Sequence, residues 1–196
     1  MYKRIKKDTK WSIMHLGMFR TDEITKEVSS YKDEWLIDTS RQEMGYVHSK
    51  TQMFRVCETD YGWEPNTPIN TIQRNSLKNE KAKLELRDIF IKLEKYYSGK
   101  VIRCEFIKML PYSQVLRHTD GGPLLHYSRR AHIPLVTDER ITFTVADNKI
   151  HMKKDQWYEI NNQLPHEVDN PTEIERIHLI IDILPDEMLY FDQGDK

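Results

Sequence analysis

Two histidines and an aspartate are the residues through which this 196-residue chain could do chemistry. His118 and Asp120 stand two apart in Gln114-Val115-Leu116-Arg117-His118-Thr119-Asp120-Gly121-Gly122. On an extended strand, side chains two apart share a face, so the imidazole and the carboxylate lie side by side and Thr119 turns away. The best third donor is His166, in Gln163-Leu164-Pro165-His166-Glu167-Val168. Two imidazoles and one carboxylate on one face of a metal leave the remaining positions open for cosubstrate, substrate and oxygen, the arrangement of non-haem Fe(II) oxygenases. The same donors also suit Zn²⁺ carrying a water, the chemistry of a hydrolase. A third reading is a non-catalytic barrel that binds a small acid. A histidine and an aspartate two apart arise by chance in many chains, so the surrounding sequence has to carry the argument.

Arg176 adds to it. If Asp169 to Ile174 turns the chain back around Pro171, Arg176 lies opposite His166 on an antiparallel pair, with Cβ atoms about 5 Å apart. The guanidinium then reaches into the metal cavity, and a slip of one residue turns it away. A buried, unpaired arginine costs several kcal/mol, which calls for an anion. A dicarboxylate such as 2-oxoglutarate supplies one: its keto oxygen and near carboxylate chelate iron, and the planar fork of Arg176 grips the far carboxylate. The competing reading pairs Arg176 with Glu173, Glu175 or Asp182 at the surface. Arg130 and His132, two apart in Arg129-Arg130-Ala131-His132-Ile133-Pro134-Leu135, project from one strand face and suit a carboxylate or a metal-bound oxygen. Against that stands a rim arginine and a hydrogen-bonded core histidine. His126, His151 and His178 read as structural or exposed.

The elements that must position these groups are mostly strands. The pattern predicts short strands at Val101 to Leu110, Gln114 to Thr119, Arg130 to Val136, Arg140 to Val145, Gln156 to Ile160, Pro165 to Val168 and Arg176 to Leu184, with turn residues between them. In the last, Ile177, Leu179, Ile181 and Ile183 share one face and Arg176, His178, Ile180 and Asp182 the other. One face packs on helices, the other borders a polar cavity. Before these strands, Ile24, Val28, Tyr31 and Trp35 recur at helical spacing after Thr21-Asp22. A long helix from about Ser76 to Tyr97 carries the stripe Ala82, Leu86, Ile89, Phe90, Leu93 and Tyr97, with Gly99 as its stop. A strand at Gln52 to Cys57 leads into a loop, Glu58 to Asn70, whose Tyr61 and Trp63 anchor it to the core in preference to forming a lid. Residues 1 to about 20 are too irregular to assign. Helices first and then many short strands predict a mainly β fold, a barrel or jelly roll with helices on one outer face.

Composition narrows the function classes. The formal charge is −1 with acidic and basic residues balanced, which gives no electrostatic reason for nucleic acid or anionic membrane as a partner. No run of about 18 apolar residues occurs, and the basic opening Lys3 to Lys7 reads as a solvated tail without the apolar segment of a signal peptide. The expectation is a soluble, cytoplasmic protein. Cys57 and Cys104, in no metal-site spacing, read as two buried, reduced thiols. The length fits one domain.

Taken in order, Pro111 to Asp120, Arg130-Ala131-His132-Ile133-Pro134-Leu135, Asp155 to Asn162, His166-Glu167-Val168-Asp169-Asn170 and Arg176 to Asp182 resemble the aspartyl/asparaginyl β-hydroxylase family, over roughly residues 101 to 184. The resemblance implies a double-stranded β-helix, a cupin-like jelly roll, over 101–196. Residues 1–100 form a helical part with one short strand packed on it, within one compact domain. It implies Fe(II) held by His118, Asp120 and His166, the far carboxylate of 2-oxoglutarate held by Arg176, and contacts to that cosubstrate from Arg130 and His132. It further implies O2-dependent hydroxylation of an amino acid, free or in a polypeptide, coupled to oxidative decarboxylation, with no separate general base. Some members lack the carboxylate ligand; Asp120 puts this chain with the full-triad members. A polar residue that steadies the far carboxylate in some relatives is Ile107 here.

Overall fold

The computed structural model describes residues 11–188 apart from 44, 61, 62 and 64–66. The basic opening and Tyr61 lie outside the described residues. Eleven strands are described: β1 (Ile13–Met18), β2 (Thr51–Thr59), β3 (Thr71–Gln73), β4 (Gly99–Met109), β5 (Ser113–His118), β6 (Arg129–Val136), β7 (Thr142–Val145), β8 (Asn148–Ile150), β9 (Gln156–Ile160), β10 (His166–Asn170) and β11 (Arg176–Pro185). They form a seven-stranded sheet in the order β1-β9-β6-β11-β4-β2-β3 and a four-stranded sheet in the order β5-β10-β7-β8. Every named pairing is antiparallel. This is the expected mainly β, double-stranded β-helix fold.

Helices α1 (Asp22–Ser30) and α3 (Glu80–Tyr97) cover the outer face of the larger sheet. The Asn79 side chain starts α3 by accepting from the amides of Lys81 (2.8 Å) and Ala82 (3.4 Å). The helix therefore begins later than Ser76, where a capping oxygen is available. Its buried stripe is Ala82, Leu86, Ile89 and Leu93, and Phe90 and Tyr97 pack partly buried beside it. Ile24, Val28, Tyr31 and Trp35 are buried as their spacing predicts, although α1 ends at Ser30 and Trp35 comes from a separate 3₁₀ turn, Asp33–Leu36. Trp63 is buried, and its indole N–H donates to the Thr67 carbonyl at 3.2 Å, so it anchors its loop.

The helix stop is a correction. Ser98, at φ 46°, takes the left-handed position, and Gly99 begins β4. A Cβ on Gly99 would stand 2.3 Å from the Leu184 carbonyl oxygen and 2.7 Å from the Pro185 Cα, so glycine serves close backbone approach between β4 and β11. Gly99→Ala is expected to destabilise the chain by about 2 kcal/mol, as overpacking against rigid backbone does. Urea unfolding checks this: the midpoint falls at unchanged slope, and an unchanged midpoint would mean the strands separate freely.

The N-terminal region is more than a helical cover with one strand. It supplies β1, which pairs with β9, and β2 and β3, which extend the sheet from β4. Without β2, the long strand β4 would be a bare edge, open to unwanted pairing. The first strand escaped the sequence pattern because a bulge between His15 and Gly17 breaks its alternation. Strands β3 and β8 are three residues each, too short to show a period.

The expected hairpin between the His166 and Arg176 strands does not form. β10 pairs with β5 and β7, whereas β11 pairs with β4 and β6 in the other sheet. Buried Asn170 makes the link a crossover. Its side-chain oxygen accepts from the Thr172 amide (3.1 Å) and hydroxyl (2.6 Å), and its NH2 donates to the carbonyls of Leu110 (3.1 Å) and Ile174 (2.9 Å). The Tyr112 amide donates to the Thr172 carbonyl at 2.9 Å, so the β4–β5 and β10–β11 links cross between the sheets side by side.

Between the sheets the core is apolar at one end, with Met109, Val115, Phe143, Val145 and Val168 in one cluster. The two faces of β11 divide as their alternation predicts. Ile177, Leu179, Ile181 and Ile183 join the helix-covered cluster, and Arg176 and Ile180 line the cavity between the sheets.

Candidate metal centre

Pairing, not the hairpin, brings the donors together. His166, at the start of β10, lies directly opposite His118, at the end of β5, and the two ring centroids are 4.3 Å apart. Asp120 follows just beyond β5, where its amide donates to the Asn162 carbonyl at 3.2 Å and holds the turn. One carboxylate oxygen is 3.9 Å from Nε2 of both histidines. The three ligand atoms lie within 4.8 Å of one another.

The tautomers follow from the backbone. His118 Nδ1 donates to the Leu116 carbonyl at 2.7 Å, and His166 Nδ1 to the Leu164 carbonyl at 3.0 Å. A carbonyl can only accept, so each Nδ1 carries a proton, and Nε2, beside Asp120, is the nitrogen each ring has left to offer a metal. Burial pushes the His166 pKa down to about 4, which leaves the ring neutral near pH 7. Burial alone would raise the Asp120 pKa, but the Arg130 guanidinium, with His166 and Arg103 adding to it, holds the carboxyl well below the usual range. A neutral His166 and an ionised Asp120 are protonation states that a divalent cation requires.

Arg130 lies in the cavity but is not free. Its Nε and Nη2 hold Asp182 at 2.8 and 3.1 Å, and its Nη1 holds Asp120. Arg103 grips the same Asp182 at 2.6 Å through Nη2. The result is a buried relay, Asp120–Arg130–Asp182–Arg103, that orients the carboxylate donor. Burial would lower the Arg130 pKa, yet Asp120 and Asp182 more than offset it and raise it.

Arg176 is the opposite case. It is 4% exposed, and its one hydrogen bond among the described residues goes from Nη2 to His178 Nδ1 at 2.8 Å. No carboxylate among the described residues lies within ion-pair distance, so none of Glu173, Glu175 and Asp182 takes it as a surface partner. Burial, and then Arg41, push its pKa down to about 9. His132 is buried with no partner on either ring nitrogen among the described residues. Burial, with Arg130 and Arg176 behind it, holds it well below the usual histidine range, so it is neutral. Unpaired buried polar groups cost about 1–3 kcal/mol each. An N/O donor set open on one side, a buried guanidinium without an anion and an orphaned imidazole together fit iron with a dicarboxylate cosubstrate.

Other residues fall elsewhere. His126 bonds Gln163 at 2.9 Å, and His151 bonds the Ile141 carbonyl at 3.2 Å. Ile107 lines the cavity beside Met53 and Ile180. The hydroxyl in the lining belongs to Thr51. Three residues near the donors were missed in the sequence. They are Arg41, on the short helix α2 (Ser40–Glu43), Thr51, at the start of β2, and His48, whose ring meets His118 edge-on at 4.8 Å. No period marks the 40–51 segment, and only the pairing of Thr51 with Met109, itself opposite Arg176, brings it to the cavity.

Known proteins share the fold. No curated protein matches the sequence. Among solved structures, a viral collagen prolyl hydroxylase from Paramecium Bursaria Chlorella virus-1 superposes with TM-score 0.55 at 9% identity, covering 89% of this chain and 96% of that one. A Pseudomonas putida prolyl-4-hydroxylase gives 0.52 at 12%, with 90% and 94% covered. An oxidoreductase of the 2OG-Fe(II) oxygenase family from Burkholderia pseudomallei gives 0.51 at 15%, with 71% and 70% covered. At such identities the likeness is one of fold. The sequence itself matches the family described as aspartyl/asparaginyl beta-hydroxylase over residues 41–185, a stretch that takes in every residue of the donor cluster and the buried arginines. The chain is a hydroxylase of the aspartyl/asparaginyl β-hydroxylase family.

Proposed function

We propose that the chain hydroxylates an amino acid, free or as an aspartyl, asparaginyl or prolyl residue of a polypeptide. In this reading His118, Asp120 and His166 hold the iron and Arg176 holds the far carboxylate of 2-oxoglutarate. The observation that carries it is a set of three donors sharing a cavity with a deeply buried guanidinium that lacks an anion among the described residues. Iron and 2-oxoglutarate, when bound, supply oxygen activation and the oxidation of an unactivated C–H bond.

The chain's own residues bind and orient. Arg176 fixes one end of the dicarboxylate through a bidentate, charge-assisted pair. The relay through Asp182 and Arg130 keeps Asp120 ionised and pointed at the imidazoles. His132, neutral and unpartnered, and the nearby edge of Arg130 are the groups offered to the cosubstrate on the metal side. Ile107, Val115, Phe143, Val168 and Ile180 line the cavity with apolar surface and limit water. No side chain has to act as a general base.

An anaerobic titration with Fe(II) and 2-oxoglutarate tests the reading. It is expected to raise the visible charge-transfer band of the chelate, and free amino acids and peptides can then be screened for oxygen-dependent succinate release. A zinc hydrolase predicts no oxygen dependence, and a binding barrel predicts no succinate. Either result would remove the proposal.

A further inference from the structure

The buried and half-buried arginines around the cavity divide into two groups. Arg55 is paired with Glu105 at 3.0 Å, Arg103 with Asp182 at 2.6 Å, and Arg130 with Asp182 at 2.8 Å and also with Asp120. Arg176 and Arg41 have no carboxylate within ion-pair distance among the described residues. The cosubstrate's far carboxylate accounts for Arg176. Iron and 2-oxoglutarate bring two positive and two negative charges, so loading the site adds no net negative charge to offset Arg41.

The setting of Arg41 is specific. Its Nε donates to the Thr51 hydroxyl at 3.2 Å, and that hydroxyl donates to the His48 carbonyl at 2.7 Å. With Nε so used, the two terminal nitrogens form an end-on fork with no partner among the described residues. That fork matches the two oxygens of one carboxylate. Thr51 lies opposite Met109, which lies opposite Arg176, so the threonine that holds Arg41 is on the same row of the sheet as Arg176. Arg41 is partly exposed where Arg176 is buried, which places it nearer the mouth of the shared cavity. Glu105 is the strongest opposing charge that Arg41 feels, but it is already engaged by Arg55. Burial pushes the Arg41 pKa down to about 10, in the same direction as Arg176 and opposite to the paired Arg130.

We propose that Arg41, steadied by Thr51, binds a carboxylate of the organic substrate, so that the molecule hydroxylated is a carboxylic acid oriented by its anionic group at the mouth of the cavity. This rests on the proposed iron and 2-oxoglutarate site. The carboxylate could be the α-carboxylate of a free amino acid or the side chain of an aspartyl residue, and both present the same group.

The test uses the full chain loaded with Fe(II) and 2-oxoglutarate without oxygen, reading perturbation of the chelate band, followed by succinate release in air. The probes are the free L-amino acids, their α-carboxamides, and a terminally blocked aspartyl tripeptide. The expected result is a response to a carboxylate-bearing probe and one at least about tenfold weaker to its uncharged counterpart. A free acid responding alone, or the tripeptide responding, identifies the source. Arg41→Gln should raise the midpoint for that probe about tenfold, leave the 2-oxoglutarate midpoint within about twofold, and collapse the preference for acid over amide. Arg41→Lys should restore part of that preference, which a merely structural role would not do. Equal weakening of acid and amide, weakening of 2-oxoglutarate itself, or a panel in which no carboxylate responds overturns the assignment alone. Absence of the chelate band in the wild type overturns the functional reading and this inference with it.

Discussion

His166→Ala lowers oxygen-dependent succinate release by at least about 10³-fold, roughly 4 kcal/mol of barrier. The imidazole is 5% exposed, lies directly opposite His118, and is one of three groups placed so that they could hold a metal ion. Even partners one step removed from a metal typically change its affinity by about 10–100-fold, and a direct ligand exceeds that. The fold survives, because His166 is one side chain at the end of a strand paired on both sides. Removing a buried side chain of this kind costs about 1–2 kcal/mol. Asp120→Ala behaves the same way, since Asp182 still holds Arg130 after the carboxylate is gone. Thr119→Ala, an exposed neighbour between two of the donors, keeps wild-type turnover. Succinate assays with parallel metal analysis check the set. Wild-type turnover in His166→Ala would remove that residue from the metal site.

Arg176→Met separates function from stability, with opposite signs. The midpoint for 2-oxoglutarate rises at least about 10²-fold, because truncating one partner of a buried charge pair costs about 2–5 kcal/mol of binding. The metal-free protein meanwhile becomes more stable by about 1–2 kcal/mol, because the variant no longer buries a cation that has no carboxylate beside it among the described residues. Arg176→Lys keeps the charge but loses the planar fork and falls between the two. Chelate-band titrations and urea unfolding of the metal-free chain read the two effects separately. An unchanged 2-oxoglutarate midpoint would show that the far carboxylate is bound elsewhere. A large loss of metal-free stability would show that Arg176 already has a partner in the empty protein.

The sequence showed much of this through local pattern. The alternation along β11 assigned four aliphatic residues to the helix-covered face and Arg176 to the cavity, and the structure has both. The helical stripe of α3 and the nature of Asp120 and the two histidines as donors were equally open to reading. The route from His166 to Arg176 was not. A turn at Pro171 reads equally well as a hairpin or as a crossover, and the choice rests on Asn170 bonding Leu110, which precedes it by most of the chain's second half. Strands β1 and β3 were missed for a similar reason, since a bulge in the one and the short length of the other removed the period that marks a strand, whereas β2 was read at Gln52 to Cys57.

The sequence alone therefore determined which faces are apolar, which residues can ligate a metal and which arginine needs an anion, because these depend on residue type and near-neighbour spacing. Only the tertiary structure decided that His118 faces His166, that Arg176 reaches the cavity from the opposite sheet, that Arg130 is already engaged by two carboxylates, and that Arg41 stands at the cavity at all. Those facts depend on which strands become neighbours. Strand pairing is chosen by the burial and hydrogen bonding of the whole sheet, and no short stretch of chain encodes it.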